Sequence, residues 1–370
     1  MIILDVKLNN FYAFKNFHMS LTYPKKIVES TIKEEHLQGH PNFRYKKVNI
    51  IMGPNASGKS TFGYVLRDIF NFIDKKNHTF VTRSICSSSK EASFSIDIIC
   101  QKDVMHRIIC KIAPNETGDY SSEDIDLEVR SVQIRARDSY ESCIKRLAEI
   151  EHIKKDSYVD ELENMEKLYW LFEYPRDTKR ILSLPANDKV FLRVLENILM
   201  ALDPAIQKVE QSSDVDNAYV VRLKNGAVII QSDEVFSTNL LSSGTKSGVE
   251  VAVVVSSLIQ GLNSFYYCDE KFSYIHSDIE KAILSLMIDA IRPNEQLFFT
   301  THNTDILEMD LPKHAFTFLR RDLDDADHPV TCVNASDFLK RNTDSLKKAV
   351  ENDLFNIAPA TDLIYEIPLH

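Results

Sequence analysis

Gly53-Pro54-Asn55-Ala56-Ser57-Gly58-Lys59-Ser60-Thr61 decides the reading of this chain. It follows the apolar run Val48-Asn49-Ile50-Ile51-Met52 and precedes Phe62-Gly63-Tyr64-Val65-Leu66-Arg67-Asp68-Ile69-Phe70, which predicts a strand, a glycine-rich loop and a helix. The loop fits G-x-x-x-x-G-K-[ST], a pattern that cradles phosphates. Gly53 and Gly58 permit backbone conformations that larger side chains resist, so successive N–H groups can converge on phosphate oxygens. A helix starting near Lys59 adds the positive end of its dipole. Lys59 is then placed to reach the β- and γ-phosphates, and the Ser60 hydroxyl to ligate Mg²⁺. A chance glycine-rich turn would match few of these positions in this order. The stretch predicts a nucleotide-binding protein.

The 370 residues suffice for one large domain or two modest ones, with ample material for a core. An apolar fraction of 44% and a charged fraction of 26% are ordinary for a soluble globular chain. The net charge of −10 excludes a surface that is basic throughout, yet allows a local basic groove, so DNA stays open without support. Six cysteines (Cys86, Cys100, Cys110, Cys143, Cys268 and Cys332) lack C-x-x-C spacing. They read as reduced thiols, not as a disulfide frame or a zinc site. The chain opens on Ile2-Ile3-Leu4 without a cationic signal region, and no apolar run reaches the roughly 18–20 residues of a membrane helix. A cytoplasmic location, away from membranes, is the expectation.

Along the chain, 2–8 reads as a strand and 9–17 as a turn whose closely spaced aromatics favour the core over contact with a base. Residues 24–46 read as a polar surface excursion. Residues 92–100 and 104–112 alternate around Gln101-Lys102-Asp103, which predicts a β-hairpin. An acidic, Ser-rich stretch at 116–126 precedes a further strand at 127–135. Residues 138–170 are helical in composition, with Ile144, Leu147, Ile150 and Ile153 at helical spacing, and 189–201 repeat an amphipathic pattern. Strands at 218–223 and 227–231 flank Asn225-Gly226, a type I′ hairpin signal. No heptad repeat is sustained, which excludes a long coiled coil. Residues 113–234 are therefore expected to form a mostly helical insertion lobe.

The second half supplies further polar groups in a telling order. Leu241-Ser242-Ser243-Gly244-Thr245 precedes an apolar helical run at 249–259, and small residues there suit either a phosphate contact or a capping turn. Phe265-Tyr266-Tyr267-Cys268-Asp269-Glu270 is an apolar strand ending in two carboxylates. Asp269 is placed to hold Mg²⁺ through water, and Glu270 to polarise an attacking water as general base. Leu297-Phe298-Phe299-Thr300-Thr301-His302 is another apolar strand, ending in a histidine that can sense a γ-phosphate.

This set resembles the ABC-type ATPases, in the soluble branch that includes SMC-like and OLD-family proteins. Residues 53–61 match its Walker A motif, 241–245 its signature, 265–270 its Walker B motif, and His302 its switch histidine. Leu8-Asn9-Asn10-Phe11-Tyr12-Ala13-Phe14 resembles the branch's opening strand and turn. Asp337-Phe338-Leu339, Arg341 and the residues from Ala349 to Pro359 resemble its AAA-type tail. The resemblance implies an α/β P-loop fold with N-terminal antiparallel β elements, its ATPase core formed by 1–112 and 235–370. It also implies ATP and Mg²⁺ as cofactors, and hydrolysis to ADP and phosphate by Lys59, Glu270 and His302. Each P-loop, from Gly53 to Thr61, would be closed by Ser242, Ser243 and Gly244 of a second chain in a head-to-tail homodimer. Many members of the branch act beside a separate effector in bacterial anti-phage or abortive-infection systems. A conformational switch with such an effector is the first expectation, and an SMC-like DNA-associated ATPase the alternative.

Two departures stand out. The signature reads Ser-Ser-Gly-Thr where transporters have Ser-Gly-Gly-Gln, and His276 stands where transporters commonly place Asp. With the long insertion, these argue against a transporter motor. Gln101, the nearest candidate for a Q-loop glutamine, falls at a hairpin tip. The stretch after His302 is expected to be taken up by final strands and helices, so an OLD-type nuclease with its Toprim domain is not the expectation. Asp322, Asp324, Asp325 and Asp327 lie between strand-like 315–320 and 330–333, and read as a solvated loop rather than a metal site.

Overall fold

The computed structural model describes residues 1–100, 103–174, 184–213, 215, 217–231, 241–341, 344–358 and 362–367. Contacts divide the chain into two compact units, one of 1–168 with 307–370 and one of 169–306. Strand β1 (Ile2–Asn9) pairs antiparallel with β2 (Phe17–Ser20). The connecting turn carries Asn10, Tyr12 and Asn16 at positive φ, so three short-range reversals fit into a few residues. Phe11, Phe14 and Phe17 are buried there, whereas Tyr12 remains exposed. Phe14 and Phe17 pack on Phe62 at ring separations of 6.1 and 5.5 Å, which fixes the first turn of the next helix.

The excursion at 24–46 is more than surface. It carries the short ribbon β3 (His36–Leu37) and β4 (His40–Arg44), and Leu37, Phe43 and Tyr45 enter a core cluster with Ile2, Leu4 and Leu147. Its polar beginning hid three apolar side chains at its end. Strand β5 (Val48–Met52), buried throughout, runs into the glycine-rich loop and α1 (Lys59–Lys75). After α2 (Thr79–Thr82), β6 (Ala92–Ile99) and β7 (Val104–Ile112) form the expected hairpin; its Gln101 and Lys102 lie outside the described residues. Strand β8 (Ile125–Gln133) pairs with β7 over nine residues, completing a sheet of order β2-β1-β6-β7-β8 that extends well past residue 112.

The expected long helix at 138–170 is broken. Helix α3 (Tyr140–Glu149) buries Cys143 and Leu147 and is anchored by the Tyr140 hydroxyl, which donates to buried Asp97 at 2.7 Å. Ile150 turns extended, and Ile153 is 84% exposed because the charged 151–156 offers no apolar face to continue the stripe. Ser157 caps a new short helix, α4 (Tyr158–Glu161).

The second unit begins with β9 (Trp170–Glu173), a strand at the end of the stretch expected to be helix. Helix α5 (Lys189–Leu202) is N-capped by Asp188, which accepts from the N–H groups of Val190 and Phe191. Strands β10 (Ile206–Gln211), β11 (Ala218–Leu223) and β12 (Gly226–Gln231) form an antiparallel sheet. Leu223 pairs with Gly226, so the turn is Lys224-Asn225, one residue earlier than the Asn-Gly signal implied. Neither turn residue has positive φ, which excludes type I′; Gly226 takes φ 158° instead. Among the described residues of 113–234, strands therefore contribute as much as helices do. Helix α6 (Ser243–Gln260), β13 (Phe265–Asp269), α7 (Ser277–Ala290) and β14 (Gln296–Thr300) follow. Strand β13 runs parallel to both β14 and β9, and β13 and β14 are buried along their whole length, as their unbroken apolar runs require.

The chain returns to the first unit with β15 (Phe316–Arg321), parallel to β5, and β16 (Val330–Asn334), antiparallel to β15. Short helices α8 (Ala335–Phe338), α9 (Leu346–Glu351) and α10 (Asp362–Tyr365) close it. The tail is partly outside the description, at 342–343, 359–361 and 368–370. Among the described residues, no helix is long and apolar enough to cross a membrane.

Candidate functional site

The first unit holds the glycine-rich loop. Gly53 has φ 155° and Gly58 φ 100°, and Ala56 also lies at positive φ. A Cβ on Gly53 would come within 2.2 Å of the Leu319 carbonyl oxygen, so only a residue without one passes here. Lys59 is buried and its Nζ donates to the carbonyls of Gly53 and Pro54 at 2.8 and 3.2 Å, folded over the loop's rim. Ser57 Oγ is buried without a hydrogen-bond partner among the described residues. Ser60 and Thr61 stand in the first turn of α1, whose cap Gly58 supplies no side chain, leaving the helix N-terminus to an outside acceptor. This cradle and donor set fit a polyphosphate.

A cavity of about 390 Å³ opens beside Gly58 and Thr61, lined also by Tyr12, Ile85, Cys86 and Arg321. Arg321 is fixed there by donating Nε to the Ala56 carbonyl at 3.0 Å and Nη1 to the His328 carbonyl at 3.0 Å. Reading the opening aromatics as core is right for the three phenylalanines and misses Tyr12, whose alternation with buried Phe11 was the available signal. The loop with Asp322, Asp324, Asp325 and Asp327 joins β15 to β16, and Lys15 Nζ pairs with Asp325 and Asp327 at 3.2 and 2.9 Å. Among the described residues no group of His, Cys, Asp and Glu is arranged to hold a metal.

The second unit holds the remaining candidates. Asp269 ends β13 fully buried, and Thr300 Oγ1 donates to its Oδ1 at 2.5 Å. The same hydroxyl accepts the Glu270 N–H at 3.0 Å, so one threonine fixes both carboxylate residues. Glu270 sits at φ 42°, a conformation costly for a residue with a Cβ and found where the surroundings impose it. Its Oε1 lies 3.9 Å from Nδ1 of the exposed His302. Glu270 and His302 share a cavity of about 220 Å³ with Ser277, Glu280, Thr301 and Asn303.

The signature turn lies in the same unit. Ser242 caps α6, its Oγ accepting the Thr245 N–H at 3.1 Å, while Ser243 stays exposed. A Cβ on Gly244 would stand 2.8 Å from the Tyr274 carbonyl, so this turn packs directly on the turn after Glu270. His276 caps α7, its Nδ1 accepting the Asp278 N–H at 3.2 Å.

Sequence reading missed Lys271. Its side chain is 1% exposed, and Nζ lies 2.6 Å from Glu250 Oε2 on α6 and 3.6 Å from Glu173 Oε2 on β9. The buried charges tie the residue after Glu270 to the helix that the signature turn begins. Removing one partner of such a pair leaves an uncompensated charge, so Lys271→Met is expected to cost about 3–5 kcal/mol. Urea unfolding measures this, and an unchanged midpoint with an unchanged slope would contradict it.

No family model matches the chain, and no curated protein matches it in sequence. Solved structures do match in fold. An SMC head bound to the C-winged helix domain of ScpA aligns over 94% of this chain and 100% of its own, with TM-score 0.51 and 14% identity. An SMC head with an extended coiled coil, bound to the C-terminal domain of ScpA from Pyrococcus furiosus, aligns over 96% and 99%, with TM-score 0.51 and 11% identity. The chain has the α/β P-loop fold of SMC heads, the ABC-ATPase type.

Proposed function

We propose that this chain binds ATP with Mg²⁺, hydrolyses it to ADP and phosphate, and uses the cycle as a conformational switch read by a partner protein. The observation that carries the reading is the 53–61 loop, whose glycine conformations, buried lysine and open helix N-terminus together suit the phosphates of a nucleotide. Gly53 to Thr61 bind the phosphates and Lys59 counters their charge. In the first unit Ser60, and in the second Asp269, each would offer a hard oxygen donor of the kind Mg²⁺ prefers. When bound, Mg²⁺ neutralises charge that develops on the phosphates. Glu270 orients the attacking water and takes its proton, and His302 holds a γ-phosphate oxygen.

Two chains facing head to tail, with Ser242, Ser243 and Gly244 of one closing the loop of the other, complete the switch. The motive is physical, since a γ-phosphate needs donors on both sides. Both SMC heads in the comparison carry a second protein, which supports a partner-bound reading here. The anti-phage setting, with a separate effector, rests on the motif resemblance. The SMC-like DNA-associated alternative is favoured by a cavity of about 550 Å³ lined by Lys25, Lys26, Lys313 and Lys340. It ranks second because Glu29 and Asp310 line the same cavity and offset two of those four charges.

Cys86 gives the test. It is exposed and lines the cavity beside Gly58, while burial pushes the Cys100 thiol up to about 12 and the Cys332 thiol up to about 11. ATP with Mg²⁺ is expected to slow alkylation of Cys86 severalfold, read by peptide mass spectrometry, and Lys59→Ala to abolish the protection. Equal labelling with and without ATP would contradict nucleotide binding at this loop.

A further inference from the structure

Glu280 and Ser277 stand on the first turn of α7, and Thr301, Asn303 and Asp305 on the segment after β14. Thr301 Oγ1 donates to Glu280 Oε1 at 2.8 Å, and Asn303 Nδ2 donates to Glu280 Oε2 at 2.6 Å. Asn303 Nδ2 also donates to Ser277 Oγ at 3.0 Å, and that hydroxyl donates to Asp305 Oδ2 at 2.7 Å. Within the segment, the Asn303 N–H donates to Thr301 Oγ1 and the Asp305 N–H to Asn303 Oδ1, both at 3.0 Å. The residue enclosed by these bonds is His302, exposed while both neighbours are held.

A carboxylate is an expensive choice for this place. Glu280 is 3% exposed, and burial pushes its carboxyl pKa up, opposed by the bonds from Asn303 and Thr301 and by the charge of His302 and reinforced by that of Asp305. An apolar side chain would fill the same space without that penalty. What the carboxylate alone provides is two acceptors, each taken by a residue adjoining His302. It also lines the cavity that Glu270 and His302 share.

We propose that Glu280 is a positioning residue that clamps Thr301 and Asn303 from α7 and thereby sets where His302 stands beside Glu270. Because α7 follows the turn of residues 270–276, any shift of that turn is handed to His302 through Glu280. The inference rests on the ATPase reading above and adds a residue to it.

A double-mutant cycle on the full chain tests it. Glu280→Ala is expected to lower kcat roughly tenfold or more, as misplacement of a reacting group does, while ATP still protects Cys86 to the wild-type extent. Glu280→Gln keeps one acceptor and is expected to fall between, which preserves the test should the alanine variant fold poorly. In a His302→Ala background, either Glu280 substitution is expected to change kcat by less than about twofold. An equal loss with and without His302 would overturn the inference, and so would wild-type kcat in both single variants. A wild-type chain that binds ATP and never turns it over would overturn the hydrolysis reading itself, and the inference with it.

Discussion

Glu270→Gln is expected to keep ATP binding and to lose turnover by ~10²-fold or more. The amide has the size of the carboxylate and cannot accept the proton of the attacking water. The backbone that places it is held independently, by the Glu270 N–H bonds to the Thr300 hydroxyl and carbonyl at 3.0 and 3.2 Å, so the substitution leaves the turn intact. Phosphate release measures the loss, and Cys86 protection confirms that ATP is still bound. Turnover at the wild-type rate would remove Glu270 from the general-base role.

The second large effect belongs to assembly. Lys59→Ala removes the charge proposed to counter the phosphates, and Ser242→Arg places a bulky cation at the exposed N-terminus of α6. Each protein is expected to be inactive alone. Mixed in equal amounts, they are expected to form some dimers in which one site pairs an intact loop with an intact signature turn while the other carries both lesions. A minority of wild-type activity should return. No recovery, at concentrations where the wild type associates, would contradict independent composite sites.

Much of this was legible in the sequence because the chemistry is local. A phosphate loop needs its glycines, lysine and hydroxyl within nine consecutive residues, and 53–61 supplies them in order. Strands β5, β13 and β14 are buried throughout and therefore read as apolar runs with the candidate site residues at their ends. What was illegible depends on partners remote in the chain. Lys271 looks like a surface lysine until Glu250, 21 residues earlier, closes on it. Glu280 looks like one polar position of an amphipathic helix until the 301–303 segment arrives. Leu37, Phe43 and Tyr45 sit in a polar stretch and become core because β1, β7 and α3 cover them. The helix expected through 138–170 fails where the apolar stripe stops, and a count of helix-favouring residues is blind to that. Ser242 shows the converse limit, since its hydroxyl serves as a cap and the sequence pattern suits a cap and a phosphate contact equally well.

An ATP-driven switch needs two states that nucleotide separates. Light scattering of the Glu270→Gln protein, with and without ATP and Mg²⁺, reads them directly. The expected result is the mass of one 42.5 kDa chain without nucleotide and about twice that mass with it. A Glu270→Gln protein that binds ATP, as Cys86 protection shows, and stays monomeric at every concentration would contradict the composite site.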